Sequence, residues 1–320
     1  MFLIEKGSWK REKYSFFISN LVLIPFNIIR RKKRVSKSVE SHYDKISGSY
    51  IQDNYYVDKP RYCIFEDQIK SLSNIEIMKN IRRECNEVLS ELNFHSVLEV
   101  GIGELTTMES VVSKNKNLKQ VFGIDLSLNR MLHGLEEYKK RQTLIPELSK
   151  SNAINLPFKD FIFDLVYSRH TLEQMPLTFK EAISEMIRVS NRHIVLFEPS
   201  YEKGGFAQKL KMIRKDYFRG LDKFLSANPD VKIVKSFLMK NCVNPLNRTY
   251  CYVLEKISAV NHEKSSIGFV CPYSKDKLVK KDGFLYSPIS RLAYPLIEGV
   301  PILDKEYSFY VDSPASRKWN

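Results

Sequence analysis

The residues best placed for chemistry stand at the ends of apolar runs. VLEVGIGELTT, residues 97–107, carries Glu99 within an apolar run and then Gly101 and Gly103 in the turn that follows. Glycine lets a backbone approach a ligand with no Cβ in the way, and it takes positive φ freely. VFGIDLS, residues 121–127, puts Asp125 at the tip of the next run, 22 residues after Gly103. A carboxylate there accepts hydrogen bonds from both hydroxyls of a ribose. It equally suits the N-cap of the segment that follows, a role for which Ser127 competes. A dinucleotide-binding loop wants a third glycine where Thr106 stands, so the pattern fits a nucleoside without a pyrophosphate. A third run ends in YSRHTLEQMP, residues 167–176. His170, whose ordinary pKa lies near neutrality, is the candidate general base, and Glu173 is a second candidate. A structural role at a strand end is the alternative for both. Arg169 suits either an anionic acceptor or the cover of a helix behind it, and Asp164 suits the capping of loop amides.

These residues need a scaffold that brings strand ends together. Strand-length apolar runs lie at 96–100, 121–124, 164–168, 193–197, 232–237 and 249–254, with amphipathic stretches near 105–116, 128–140 and 178–190 between the earlier ones. Such alternation predicts an α/β fold with a mostly parallel sheet covered by helices on both faces. Ligands bind such sheets at the carboxyl ends of the strands, where strand order reverses. The length, 320 residues, allows one α/β domain plus an appendage or two small domains. At 43% hydrophobic, the chain excludes wholesale disorder, and 12 Gly and 13 Pro exclude a collagen-like architecture. Five cysteines, at 63, 85, 242, 251 and 271, form no CxxC pair, which points to a reducing compartment.

Taken in order, Glu99-Val-Gly101-Ile-Gly103, Asp125, NAINLPF (152–158) and FDLVYS (163–168) resemble the class I S-adenosylmethionine-dependent methyltransferases, in particular their type 11 group. The resemblance covers roughly residues 40–260, and SHYDKISGSY (41–50) resembles the Tyr-Asp-containing helix that opens many such domains. It implies a Rossmann-like methyltransferase fold and S-adenosyl-L-methionine as cofactor. Glu99 would then hold the amino group of the methionine moiety, Gly101 and Gly103 would line the adenosyl group, and Asp125 would bind the ribose diol. Asn152 and Ala153 would flank the adenine edge, with Ser168 on the cofactor side of the fourth strand tip. The family usually has Asp where Asn152 stands; Asn keeps one carbonyl acceptor without the help of charge. Its third glycine position is Leu105 here. The same resemblance brings His170, Glu173 and the tip Glu198-Pro199-Ser200 to the acceptor side. The basic and aromatic stretch 201–226 lies where insertions shape acceptor specificity; it suits stacked bases and phosphates, a phosphorylated or lipid-linked substrate, or an amphipathic cover helix. The expected acceptor is a small molecule, a glycan or a lipid-linked intermediate. An RNA methyltransferase is the enzymatic alternative, counted against by the lack of an Asn-Pro-Pro-Tyr-type motif. A non-catalytic S-adenosylmethionine-binding or scaffold protein is the alternative of another class.

The flanks differ from the middle. The net charge is +14, and residues 1–40 hold ten Lys and Arg against three Glu. Within them, YSFFISNLVLIPFNII (14–29) precedes RRKKR (30–34). The run is short for a membrane span and lacks the small residues of a signal-peptide cleavage site. Two readings stand: a helix at a membrane interface with its cations on headgroups, or a helix packed on the next domain, which Pro25 favours. Localisation is accordingly expected to be cytoplasmic, with the inner membrane face as the peripheral variant. Residues 265–305 resemble the small zinc-ribbon activators of RNA and protein methyltransferases, through Tyr294-Pro295, Gly299 and Pro301. Three of the four ligand positions in that pattern are Ser274, Ser287 and Ser290, leaving only Cys271. One thiolate makes no tetrahedral zinc site. A metal-free β module is therefore expected, held by Phe284, Leu285, Tyr286, Tyr294 and Leu296, with its hairpin turn at Asp282-Gly283. The expected division is 1–40, 41–260, 265–305 and a tail at 306–320.

Overall fold

A computed structural model describes residues 36–257 and 267–311. The segment 14–34, and with it the choice between membrane contact and packing, lies outside the described residues, as does the tail beyond 311. Helix α1 (Ser36–Lys45) opens the described chain, and a short helical stretch through Tyr56 follows. A hairpin, β1 (Pro60–Phe65) and β2 (Gln68–Ser73), then feeds α2 (Asn74–Ser90). Ser73 caps that helix by accepting from the Glu76 amide at 3.1 Å, the arrangement favoured by Ser and Glu three residues apart.

The alternating segment follows as β3 (Ser96–Val100), α3 (Thr106–Lys114), β4 (Gln120–Asp125), α4 (Leu128–Lys139), β5 (Glu147–Lys150), β6 (Phe163–Arg169), α5 (Phe179–Val189) and β7 (Ser190–Pro199). After α6 (Phe206–Arg214) and α7 (Leu221–Ser226) come β8 (Val231–Leu238) and β9 (Thr249–Lys256). One seven-stranded sheet results, in the order β5-β4-β3-β6-β7-β9-β8. The order reverses between β3 and β6, which pair in parallel with Val100 beside Ser168. Only β9 runs against the rest: it is antiparallel to both β7 and β8. Both faces are apolar. Val97, Met108, Val111, Met131 and Tyr138 pack one side; Leu98, Phe122, Phe158, Ile183 and Met186 pack the other. This is the mostly parallel α/β fold expected. Two elements escape the pattern: β5, whose ELSK holds one apolar residue, and the hairpin β1–β2. No helix among the described residues is long and apolar enough to cross a membrane.

An open edge strand invites unwanted pairing, and β5 is covered by the C-terminal module. That module comprises β10 (Val279–Lys281), β11 (Phe284–Tyr286), β12 (Leu292–Ile297), β13 (Val300–Pro301) and β14 (Phe309–Tyr310), all antiparallel neighbours. The Leu303 amide donates to the Lys150 carbonyl at 2.8 Å, the Ser149 hydroxyl to the Pro301 carbonyl at 3.1 Å, and the Val270 amide to the Pro157 carbonyl at 2.9 Å. Phe269 completes an aromatic cluster with Phe122 and Phe158, at ring separations of 5.7 and 5.3 Å. The module is thus fastened along 149–158, the stretch that contains Asn152 and Ala153.

Inside the module, Asp282-Gly283 forms the two-residue turn, with Gly283 at φ 79°. Tyr294 and Tyr286 are buried as expected, and Leu285 packs against Tyr294. Phe284 instead faces Phe309 at 5.8 Å, and Leu296 is half-exposed; Cys271, Leu292 and Leu303 do the packing assigned to them. Cys271, Ser274, Ser287 and Ser290 meet. The Cys271 thiol lies 3.4 Å from the Ser290 hydroxyl, and Ser287 and Ser274 both donate to the Asp276 carboxylate. Burial pushes that thiol up, but hydrogen bonds from Ser274, Ser290 and Tyr294 outweigh it and bring the pKa to about 7.

Hydroxyls and one carboxylate around one thiol are a poor set for zinc, so protein purified without added metal should carry no stoichiometric zinc by elemental analysis. One dialysis-resistant zinc per chain would contradict this. Phe269→Ala should lower unfolding stability by about 2–3 kcal/mol and speed amide exchange across 150–158. Unchanged exchange there would show that the module does not brace this stretch.

Candidate active site

At the reversal of strand order the carboxyl ends of β3, β4 and β6 open into a cavity of about 450 Å³. Glu99 lies deep in it, 2% exposed, and accepts a hydrogen bond from the Tyr167 hydroxyl at 2.8 Å. Burial pushes its carboxyl up to about 8, against the opposing pull of Tyr167 and Arg169. At neutral pH Glu99 therefore favours the carboxylic acid, which an ammonium placed beside it would ionise.

The turn after β3 is shaped by three left-handed residues: Gly101 (φ 78°), Gly103 (φ 53°) and Leu105 (φ 60°). A Cβ on Gly101 would overlap the Thr171 side chain, and one on Gly103 would press on the Arg130 guanidinium. Leu105 tolerates a conformation that costs an L-residue roughly 1–2 kcal/mol; its side chain is 1% exposed, and burial offsets that cost. The amides of Gly101 and Ile102 both donate to the Ile124 carbonyl, at 2.9 and 3.0 Å. Asp125 accepts from the Gly103 amide and from the Ser127 amide, each at 2.8 Å. Ser127 takes the N-cap of α4, accepting from the Arg130 amide at 3.3 Å. The two roles open to Asp125 are thus divided between it and Ser127.

A lid from the start of the described chain covers this turn. Glu104, fully buried, accepts from the amides of Gly48 (3.1 Å) and Ile51 (2.7 Å) and pairs with Arg130 at 3.5 Å. Arg130 in turn lies over the rings of Tyr43 and Tyr50, at 4.9 and 4.6 Å. On the stretch after β5, Asn152 and Ala153 line the cavity, and the Asn152 side-chain Oδ1 accepts from the Ile154 amide at 3.3 Å.

The opposite wall carries the candidate base. His170 (φ 52°) has its Nε2 2.7 Å from the Thr249 hydroxyl and its Nδ1 3.3 Å from Glu173. Glu173 also accepts from Asn247 at 2.9 Å. Burial raises the Glu173 pKa, but the charge and hydrogen bond of His170, with Asn247 and Lys211, outweigh it and hold the carboxyl low. A carboxylate only accepts, so the His170 proton belongs on Nδ1, and Nε2 meets Thr249. Glu198 is not on the wall. It lies beneath, accepting from the Ser168 hydroxyl (3.0 Å) and the amides of Thr171 (3.0 Å) and Leu172 (3.1 Å). Asp164 caps loop amides as expected, accepting from His95 and Ser96 at 2.8 and 3.1 Å.

Of the residues singled out in the sequence, Glu99, Gly101, Asp125, Asn152, Ala153, His170 and Glu173 line one cavity. Gly103 does not line it; a Cβ there would face the guanidinium of Arg130, which does. Ser168 is a correction: it is fully buried and turned toward Glu198, so it supports the wall rather than facing the cavity. Glu104, Arg130, Thr171, Asn247 and Thr249 also line the cavity and were not singled out; no local spacing marks them, because their partners lie far along the chain.

Residues 98–194 match the model of a family described as a methyltransferase domain. A demethylmenaquinone methyltransferase of Geobacillus sp. (strain WCH70) is 36% identical over 70 residues, which is 22% of this chain and 30% of that protein's length. Among solved structures, the magnesium protoporphyrin IX methyltransferase of Synechocystis PCC 6803, with bound SAH, superimposes with a TM-score of 0.52 at 12% identity, covering 69% of this chain and 99% of that one. The [4+2]-cyclase SpnF superimposes with a TM-score of 0.53 at 16% identity, covering 69% and 96%. These structural likenesses establish the fold; a methyltransferase and a cyclase share it.

The turn geometry makes a specific demand. Gly101→Ala adds a Cβ at positive φ into Thr171 and should lower the melting temperature by several degrees, on the order of 1–3 kcal/mol. Gly205→Ala, where a Cβ meets nothing within 4 Å, is the control and should melt like the parent. Equal melting of both variants would overturn this account of the turn.

Proposed function

We propose that this chain, which carries a class I S-adenosylmethionine-dependent methyltransferase domain, binds S-adenosylmethionine at the carboxyl ends of β3 and β4. It transfers the methyl group to a small-molecule, glycan or lipid-linked acceptor. The observation that carries the proposal is the convergence of Glu99, Gly101 and Asp125 on one cavity at the sheet's reversal point, inside the stretch that matches the methyltransferase model. The residues fit the cofactor. Glu99 offers a buried carboxyl to the methionine ammonium, and Arg169, which donates a long hydrogen bond to Thr107 at 3.4 Å, offers a cation to its carboxylate. Asp125 keeps lone pairs for the ribose diol after accepting two amides. Gly101 lets the turn at the cavity edge pack directly against Thr171, and Asn152 and Ala153 border the adenine.

The cofactor supplies an electrophilic methyl on a sulfonium. The protein's part is to bind, orient and exclude water, which for an in-line displacement is the largest contribution. The lid held by Glu104 and Arg130 serves that exclusion. Where the acceptor must lose a proton, His170 Nε2 receives it once Thr249 turns aside, and Glu173 stabilises the resulting imidazolium.

A methyl-transfer assay with tritiated S-adenosylmethionine, run over cell extract fractionated into RNA, protein, lipid, glycan and small metabolites, tests the proposal. Label should enter the metabolite, glycan or lipid fraction. Label confined to RNA would favour an RNA methyltransferase, and cofactor binding with no label anywhere would favour a non-catalytic binder.

The raised Glu99 gives a pH signature. Binding an ammonium demands the ionised carboxylate, so Glu99 must release its proton when the ammonium binds. Affinity for S-adenosylhomocysteine should therefore climb as pH rises toward about 8, by up to roughly tenfold per unit, and then level off. Glu99→Gln should bind more weakly and flatten the dependence. A flat profile in the parent protein, measured by calorimetry, would remove Glu99 from the ammonium site.

A further inference from the structure

The wall facing the glycine turn holds a cation that the cofactor does not account for. Lys211 comes from α6, in the basic and aromatic stretch 201–226, and lines the cavity with Glu173, Cys242, Asn247 and Thr249. Among the described residues no side-chain hydrogen bond or salt bridge holds its ammonium. The carboxylate that attracts it, Glu173, is already committed to His170 at 3.3 Å and Asn247 at 2.9 Å. Burial pushes the ammonium down to about 8 against the pull of Glu173, with the Cys242 thiol and Lys215 as its other ionisable neighbours. Lysine side chains normally run their stems along apolar surface and leave the ammonium in water. Keeping one half-buried and unpaired costs free energy that a bound anion would return.

The other cations on the cavity are engaged elsewhere. Arg130 pairs with Glu104, Arg61 lies 4.0 Å from Asp53, and Arg169 stands near Glu99 and bonds Thr107. Lys211 interacts with none of the groups placed around the cofactor; its electrostatic partners belong to the His170 side.

From this we infer that Lys211 receives an acidic group of the methyl acceptor — a carboxylate, a phosphate ester or an ionised phenol — and so places the atom to be methylated beside His170. The inference rests on the methyltransferase reading and narrows it: the acceptor carries a negative charge close to its reacting atom.

The test uses the full chain saturated with S-adenosylhomocysteine and three probe pairs followed by ligand-observed NMR: benzoate against benzamide, phenyl phosphate against benzyl alcohol, and 4-nitrophenolate against 4-nitroanisole. At least one anion should bind roughly tenfold or more tightly than its neutral partner, as expected for a hydrogen bond to a charged group. Which pair shows the preference identifies the acidic group. Lys211→Met should abolish that preference and Lys211→Arg should retain it. Anions that bind no better than neutral partners, anions that do not bind at millimolar concentration, or a preference that survives in Lys211→Met would each overturn the inference. Calorimetric binding of S-adenosylhomocysteine to the parent and to Lys211→Met is read separately. Its absence in the parent would sink the methyltransferase reading itself, whereas its presence with no anion preference sinks only the role of Lys211.

Discussion

The hydrogen bond from the Gly103 amide to the Asp125 carboxylate ties the turn after β3 to the tip of β4. Much of the site depends on that tie. It holds the chain through three left-handed residues, one of them the buried Leu105, and it fixes the Asp125 carboxylate at the edge of the cavity. The other Asp125 oxygen accepts from Ser127, and Ser127 caps α4. That helix carries Arg130, which pairs with Glu104 in the same turn. Turn, strand tip, helix start and lid therefore form one closed set of polar contacts, and no member shifts without disturbing the next.

Charge is distributed around this set with a consistent logic. Glu104 and Arg130 neutralise each other and hold the lid down through the amides of Gly48 and Ile51. Burial pushes the Glu99 carboxyl up against the pull of Tyr167 and Arg169, so an ammonium set beside it would favour its ionised form. Glu173 is kept ionised by His170, Asn247 and Lys211 despite its burial. A neutral acid at one end and an ion cluster at the other divide the cavity chemically: one end suits an ammonium, and the other suits proton transfer and an acidic acceptor.

The core of the fold is readable from periodicity. The runs at 96–100, 121–124, 164–168 and 193–197 are central strands buried on both faces, so nearly every residue in them is apolar. β5 was not legible, because an edge strand covered by another module needs few apolar residues of its own; the β1–β2 hairpin forms a separate two-stranded sheet outside the alternating pattern. The carboxyl-end residues Glu99, Gly101 and Asp125 were legible because chemistry at strand tips leaves a local signature of acid and glycine. The lid was not: Glu104 reaches Gly48 across 56 residues, and no spacing rule encodes such a contact. Ser168 was misassigned for a related reason. Alternation along β6 places it on the sheet, but which buried partner it meets depends on Glu198 of the neighbouring strand. The grouping of Cys271 with the serines at 274, 287 and 290 was legible from the resemblance, whereas Asp276 as the acceptor that Ser274 and Ser287 share was visible only in three dimensions.

The central claim is that this frame binds S-adenosylmethionine through the ribose carboxylate. Calorimetric titration of the full chain with S-adenosylmethionine, alongside an Asp125→Ala variant whose folding is verified by circular dichroism, tests it most directly. The account predicts one equivalent bound with a dissociation constant on the order of micromolar, and loss of most of that affinity in the folded variant. No binding to the parent chain, or unchanged affinity in Asp125→Ala, would contradict it.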